Sequence, residues 1–132
     1  MRMCAYVDSW MSARKLRLNP RMIESVARRF RVLGEPQRLR ILQILERAPK
    51  NVSDVAARLG VSQPSVSRHL RALFEAGLIT RRRSGASTVY RVSDPLVFRL
   101  CGLVCDSLVE RARADLEEIA MAGSAPATKE GD

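Results

Sequence analysis

From residue 19 onward the apolar positions recur at helical spacing, except in one region where they alternate as in a strand. Asn19-Pro20 reads as a helix start: a side chain able to cap, then a proline whose missing N–H is not needed in the first turn. Ile23, Val26, Ala27 and Phe30 then share a face, and Gly34 breaks the run. The pattern predicts a second helix from about Pro36 to Arg47, with Leu39, Leu42, Ile44 and Leu45 apolar, and Pro49 ends it. A short third helix follows Asn51-Val52-Ser53-Asp54. Asn51 can cap the amide near Asp54, and Asp54 suits the positive start of the helix. Val52, Val55, Ala56 and Leu59 form its inward stripe, and Gly60 stops it. A tight link, Gly60-Val61, and a capping Ser62 open a fourth helix that runs to Ala76. Gly77 takes the C-terminal cap position, and Val66, Leu70 and Leu73 face inward.

Beyond Gly77 the period changes. LITRRR and STVYRVS are short, β-branched or alternating, and Ser84-Gly85-Ala86 lies between them, which predicts a β-hairpin. A long fifth helix is expected from Ser93 or Asp94, with Pro95 in its first turn, to about Ala120. Residues 1–18 have no clear period and read as a flexible arm. Residues 122–132 are small, polar and Pro-containing, and read as a disordered tail. What remains, residues 19–121, is one mainly α domain with a β-hairpin (α+β). Its order is that of a winged helix-turn-helix.

Composition narrows the function. The 132-residue chain is 46% hydrophobic, enough for a core, although a domain this small gains from a partner. Its formal net charge of +9 favours polyanions, nucleic acid first and anionic membrane second. No apolar run reaches the roughly 20 residues of a bilayer span, and the basic N-terminus lacks the apolar core of a signal peptide. A cytoplasmic protein with no membrane partner is therefore expected. Three cysteines are an odd number; in a reducing compartment they are free thiols, metal ligands or a redox sensor. There is no glycine-rich phosphate loop, and the single histidine leaves none to spare for a catalytic set, so no enzyme is expected.

The stretch DVAARLGVSQPSVSRHLRALFEAGLI carries the nucleic-acid signal. Two short helices joined by a Gly-containing turn can place the second in a major groove. With Val66, Leu70 and Leu73 inward, the opposite face holds Pro64, Ser65, Arg68 and Arg71, with Gln63 and Ser67 at its edges and Ser62 at its start. Gln can read adenine and Arg guanine; hydroxyls and helix N-terminal amides hold phosphates. The same residues would suit an ordinary solvated face, and the hairpin together with the +9 charge decides for DNA. Arg81, Arg82 and Arg83 precede the hairpin tip. On a strand 81 and 83 point one way and 82 the other, and backbone contact is expected of them. His69 flanks the core stripe and reads as structural or a minor DNA contact.

LGEPQRLRILQIL, DVAARLGVSQPSVSRHLRAL, EAGLI and RRRSGASTVYRV resemble the ArsR/SmtB family of winged-helix repressors, over about residues 24 to 120. The resemblance implies a homodimer joined through the first and last helices and bound to double-stranded operator DNA at an inverted repeat. It also implies release when an inducer, usually a metal ion or thiol-reactive species, binds the protein. The departures from the family pattern are specific. Where arsenic and cadmium sensors carry Cys-Val-Cys before an Asp, this chain has Asn51-Val52-Ser53-Asp54. Where zinc sensors carry Asp and His, then His and Glu, in the last helix, Asp94 and Glu110 match but Leu96 and Ser107 replace the histidines. Two carboxylates alone make a poor zinc site. The persulfide-type sensors pair a cysteine in the second helix with one in the last, and this second helix has none.

That leaves Cys4, Cys101 and Cys105. Side chains four apart on a helix are neighbours, about 5–6 Å at Cβ, which suits two thiolates on one soft ion such as arsenite, Cd(II) or Cu(I). It suits an intrahelical disulfide badly, because bridged Cβ atoms want roughly 3.5–4.5 Å. Arsenite prefers three sulfurs, and Cys4, from the same chain or its partner, is the candidate third. Against this, Val97, Cys101, Val104 and Leu108 form one apolar stripe, and free cysteine is a common core residue. Three readings follow: a repressor that needs no resident cofactor and is induced by arsenite or another soft metal, a redox or reactive-sulfur switch on the same thiols, and a ligand-independent DNA-binding regulator with core cysteines.

Overall fold

A computed structural model describes residues 18–124, so the expected arm, the expected tail and Cys4 lie outside the described residues, apart from the few positions at their inner edges. The elements run α1 (Pro20–Leu33), α2 (Pro36–Arg47), β1 (Lys50–Asn51), α3 (Val52–Leu59), α4 (Gln63–Glu75), β2 (Ile79–Ser84), β3 (Ser87–Val92) and α5 (Leu96–Ser124). The chain divides into two compact units at Ser93/Asp94. The winged helix-turn-helix order predicted from the pattern is the order observed.

The helix starts are set by the expected caps. The Asn19 Oδ1 accepts from the Met22 N–H at 2.9 Å, and the Asn51 Oδ1 from the Asp54 N–H at 2.8 Å. Ser62 Oγ accepts from the Ser65 N–H at 3.3 Å. The end of α4 is as specific. Gly77 has φ of +74°, a conformation that costs a glycine no steric strain. It sits one place past the cap residue, Ala76, and so allows the chain to reverse. The Gly77 N–H then donates to Phe74 O (3.0 Å) and the Leu78 N–H to Leu73 O (3.0 Å), a Schellman ending with its apolar pair buried. Gly60, the cap residue of α3, is also left-handed at φ +67°, and its N–H donates to Ala56 O at 2.9 Å.

The core of the first unit is built from Leu33 of α1, Ile41, Leu42 and Leu45 of α2, Val55 and Ala56 of α3, Val66, Leu70 and Leu73 of α4, with Leu78 and Ile79. α2 is its hub, packing on α1, α3, α4 and β3. Two details of α2 differ from the sequence pattern. Ile41, not singled out there, has no exposed surface, whereas Leu39 is exposed. The sheet also has a strand that the pattern did not show. β1 pairs antiparallel with β3, Lys50 opposite Tyr90 and Asn51 opposite Val89, giving the order β1-β3-β2. The hairpin closes with Ser84 opposite Ser87 around Gly85-Ala86.

In the second unit, α5 starts at Leu96, where the Asp94 Oδ1 accepts from the Leu96 N–H at 3.0 Å. It continues to Ser124, beyond the expected end near Ala120. Val97 is its buried position; Leu96, Leu103, Val104, Leu108, Val109, Leu116, Ile119 and Met121 are exposed. On α1, Ile23, Ala27 and Phe30 of the shared face are exposed too and Val26 is half-buried; Met22 is exposed beside them. No described helix is long and apolar enough to cross a membrane.

Leu70 has no exposed surface, so Leu70→Ala removes buried methyls and opens a cavity at the centre of the helix-turn-helix. The expected loss is about 2–5 kcal/mol, read as a lower urea midpoint at unchanged slope. Leu39→Ala, on the exposed side of α2, should change the midpoint much less.

Candidate nucleic-acid interface and thiol pair

Val66, Leu70 and Leu73 are all fully buried, so the rotation of α4 about its axis is fixed. The opposite face is therefore outward, and Gln63, Pro64, Ser67, Arg68 and Arg71 are exposed there. Ser65 is half-buried. Ser62 is exposed at the cap, where its oxygen accepts the Ser65 N–H and its own O–H is free to donate. Arg71 is held along the helix by Glu75, Nε to Oε1 at 3.1 Å, with both side chains largely exposed. An exposed pair of this kind contributes little stability, about 0.3–0.5 kcal/mol for i,i+4 spacing.

The register of the hairpin separates the three arginines. Arg81 and Arg83 share a face with Ile79, which is buried; Arg82 is on the other face with Thr80 and Ser84. Arg81 accordingly turns back onto α4, its guanidinium 4.2 Å from the centroid of the Phe74 ring. This cation–π contact ties the hairpin to α4. On the outer face, Thr80 pairs with Arg91 and Arg82 with Val89, so Arg82 and Arg91 are diagonal neighbours. An open groove of about 490 Å³ runs over this part of the hairpin, lined by Thr80, Arg81, Arg82, Ser84, Val89 and Arg91. The sequence pattern did not point to Arg91, because only the pairing register brings it beside Arg82.

Two further arginines position the helix rather than face outward with it. Arg38 of α2 donates from Nε to His69 Nδ1 (3.4 Å) and from Nη1 to Val32 O (3.2 Å), linking the end of α1 to the middle of α4. His69 is half-buried and serves as the acceptor, which fits the structural half of the expectation. Arg29 of α1 donates to Ala76 O at 3.2 Å, a cation at the negative end of α4. Ser93 Oγ donates to Gly77 O at 2.8 Å, closing the same corner from the end of the hairpin.

Cys101 and Cys105 lie one turn apart on α5, both as free thiols, Cys101 half-buried and Cys105 exposed. Burial pushes the Cys101 thiol above its ordinary pKa, and the negative charge of Cys105 raises it further. Among the described residues no three of His, Cys, Asp and Glu come together as a metal-holding group. Asp94, matched to the zinc-sensor pattern, is occupied in capping α5.

The comparisons with known proteins agree with this architecture. Residues 35–81 match the family described as bacterial regulatory protein, arsR family. The chain is 39% identical over 74 residues to a probable mercury resistance operon repressor of Streptomyces lividans, covering 56% of this chain and 59% of the relative. It is 37% identical over 83 residues to the HTH-type transcriptional regulator NmtR of Mycobacterium tuberculosis, covering 63% of this chain and 69% of that one. The match thus spans about three-fifths to two-thirds of the length of these relatives. Among solved structures, one similar fold is a homodimeric winged helix-turn-helix DNA-binding domain from Mycobacterium bovis, a possible ArsR-family regulator. The TM-score is 0.62 and the identity 31%, over 71% of this chain and 90% of that one.

The two thiols should differ in reactivity. Alkylation proceeds through the thiolate, and Cys101 has the raised pKa and the smaller exposure. At neutral pH Cys105 should be labelled by iodoacetamide ahead of Cys101. Raising the pH should narrow the gap, because Cys101 ionises at higher pH. Peptide mass spectrometry reads both rates; equal rates at neutral pH would contradict the placement.

Proposed function

We propose that this chain, which belongs to the arsR family of bacterial regulatory proteins, is a cytoplasmic transcriptional repressor that binds operator DNA as a homodimer and releases it when an inducer binds Cys101 and Cys105. It is a regulator and not an enzyme. The observation that carries the DNA reading is the exposed polar and basic face of α4, held opposite a fully buried stripe, beside a wing whose outer face bears Arg82 and Arg91. A net charge of +9 supplies the long-range attraction to phosphate.

In this reading Gln63 and Arg68 contact base edges. Ser62, Ser65, Ser67 and Arg71 hold the backbone at the helix start and flank, and Arg82 and Arg83 contact phosphate from the wing. Arg81, stacked on Phe74, positions the wing as well as adding charge. The homodimer is supported by the exposed apolar faces of α1 and α5, and by the similar domain from M. bovis being homodimeric. The inducer is a thiol-binding species, arsenite or another soft metal ion, supported by the thiol pair on α5 and by the similarity to a mercury resistance operon repressor. Cys4 stands as a third sulfur only as an expectation from the sequence. No resident cofactor is needed.

Two measurements test this. In fluorescence anisotropy on the chain's own promoter, Arg68→Ala should cost about 1–3 kcal/mol on the operator and much less on random DNA. Arg82→Ala should weaken binding to both and lower the salt slope by about one. The double variant Cys101→Ser with Cys105→Ser should bind the operator as the wild type does but no longer release it with arsenite, Cd(II) or mercuric ion. Unchanged release would remove the thiols from the inducer site.

A further inference from the structure

The middle of α4 is held by a guanidinium that also holds the end of α1. Arg38 Nε donates to His69 Nδ1 at 3.4 Å and Nη1 to Val32 O at 3.2 Å, both partly buried. Arg38 projects from α2, so one planar group spans three helices. The bond to His69 is long, and its weight lies in where it acts rather than in its strength. An arginine offers donors only, so Nδ1 is the bare nitrogen of the ring. His69 is therefore neutral in this contact, with its proton on Nε2. In sequence it stands between the exposed Arg68 and the fully buried Leu70, on the flank of the helix. A directed bond there resists rolling and tilting, which apolar burial, being non-directional, does less specifically.

A proton on Nδ1 would remove the acceptor and set an imidazolium against a guanidinium that keeps its charge. Histidine is the side chain that ordinarily changes charge between about pH 5 and 8, and His69 is the chain's single histidine. The elements packed on α4 are α2, α3 and β2. On α2 the other charged side chains, Arg40, Glu46 and Arg47, are exposed, as are Asp54 and Arg58 of α3. On β2, Arg81 lies over Phe74, and Arg82 and Arg83 are exposed. On α4 itself Arg68 is exposed and Arg71 is paired with Glu75. Arg38 is thus the charged group set on the ring, and among the described residues no carboxylate pairs with it. We propose, on the reading of α4 as the DNA-contacting helix, that His69 is a positioning residue for operator binding: as a neutral acceptor it ties α4 through Arg38 to the end of α1, and taking up a proton there undoes the tie and weakens the operator complex. A direct electrostatic role has the opposite sign, because an added positive charge near phosphate strengthens binding as pH falls.

The test is anisotropy of the full reduced chain on its own promoter and on random DNA, at about pH 8 and about pH 5.5 and one ionic strength. His69→Leu fills the site without an acceptor. His69→Asn offers an oxygen that accepts at both pH values, at similar helix propensity. The wild type should lose operator affinity at the lower pH while random DNA changes little. His69→Asn should bind the operator as the wild type does at the higher pH and should not weaken at the lower. His69→Leu should bind the operator about two- to tenfold more weakly at the higher pH, the size of one hydrogen bond, with no further loss on acidification. Operator binding that strengthens in acid, an Asn variant that weakens as the wild type does, or a Leu variant equal to wild type would each overturn the positioning role. Arg68→Ala in the same assay separates the two readings. If it weakens the operator complex while His69→Leu does not, the positioning role fails and α4 still reads DNA; if neither variant has an effect, both fail.

Discussion

The burial of Val66, Leu70 and Leu73 is the constraint on which the outward chemistry of α4 depends. A helix turns about 100° per residue, so a slip of one position would carry Arg68 toward the core and Val66 toward water. The three side chains have no exposed surface at all, and each fully buried residue of this size contributes about 1.5–3 kcal/mol. Rotating them out together, cavities included, would cost a sum comparable to the roughly 5–15 kcal/mol by which a whole domain is stable. The outward set therefore follows from the inward one, which shares the core of the first unit with Ile41, Leu42 and Leu45 of α2 and Val55 and Ala56 of α3.

Rotation alone does not fix where the helix points, and the polar contacts around it do that work. Ser62 caps its start, the Schellman ending and Arg29 satisfy its last carbonyls, and Arg38 reaches His69 at its middle. Arg81 on Phe74 adds the wing to the same frame. None of these is strong singly. A cap is worth about 0.5–2 kcal/mol and an exposed cation–π contact about 0.5–1. Their value lies in direction: they restrain α4 at both ends and at one side, leaving the outward face as the part without structural duties. The hairpin obeys the same logic. Burial of Ile79 sets the strand's phase, which sends Arg81 back to the helix and Arg82 outward.

Much of this was legible because it is local. Caps, prolines and chain-reversing glycines act within a few residues, so α2 and the starts of α1, α3 and α4 could be placed from the pattern. Features created by pairing could not. β1 is two residues long, too short to show alternation, and exists only because β3 lies beside it. Arg91 becomes a neighbour of Arg82 through register alone. Ile41 and Leu39 are both apolar positions of α2, and only the presence of α1, α3, α4 and β3 around that helix decides which is covered. The extent of α5 was underestimated for a similar reason: Ala120 to Ser124 has little apolar pattern of its own, but small residues continue a helix already formed.

The apolar faces of α1 and α5 raise a different point. A single chain leaves Ile23 and Phe30 of α1, and Leu108, Leu116 and Ile119 of α5, in water, and an exposed apolar helix face of this kind marks an interaction site. On the proposed reading the thiol pair borders the exposed apolar face of α5, with Val104 three residues from Cys101 and Leu108 three residues from Cys105. Sensing and assembly would then use one surface, and any ion bound there changes the free energy of the dimer that holds the operator. Linkage makes the effect reciprocal: an inducer that weakens DNA binding by some factor must itself bind the DNA-bound dimer more weakly by that factor. A repressor seated on its operator would be a poorer sensor than the free dimer. The ion would be captured mainly by unbound dimers, and the operator would empty as that pool is drawn into the metal-bound form.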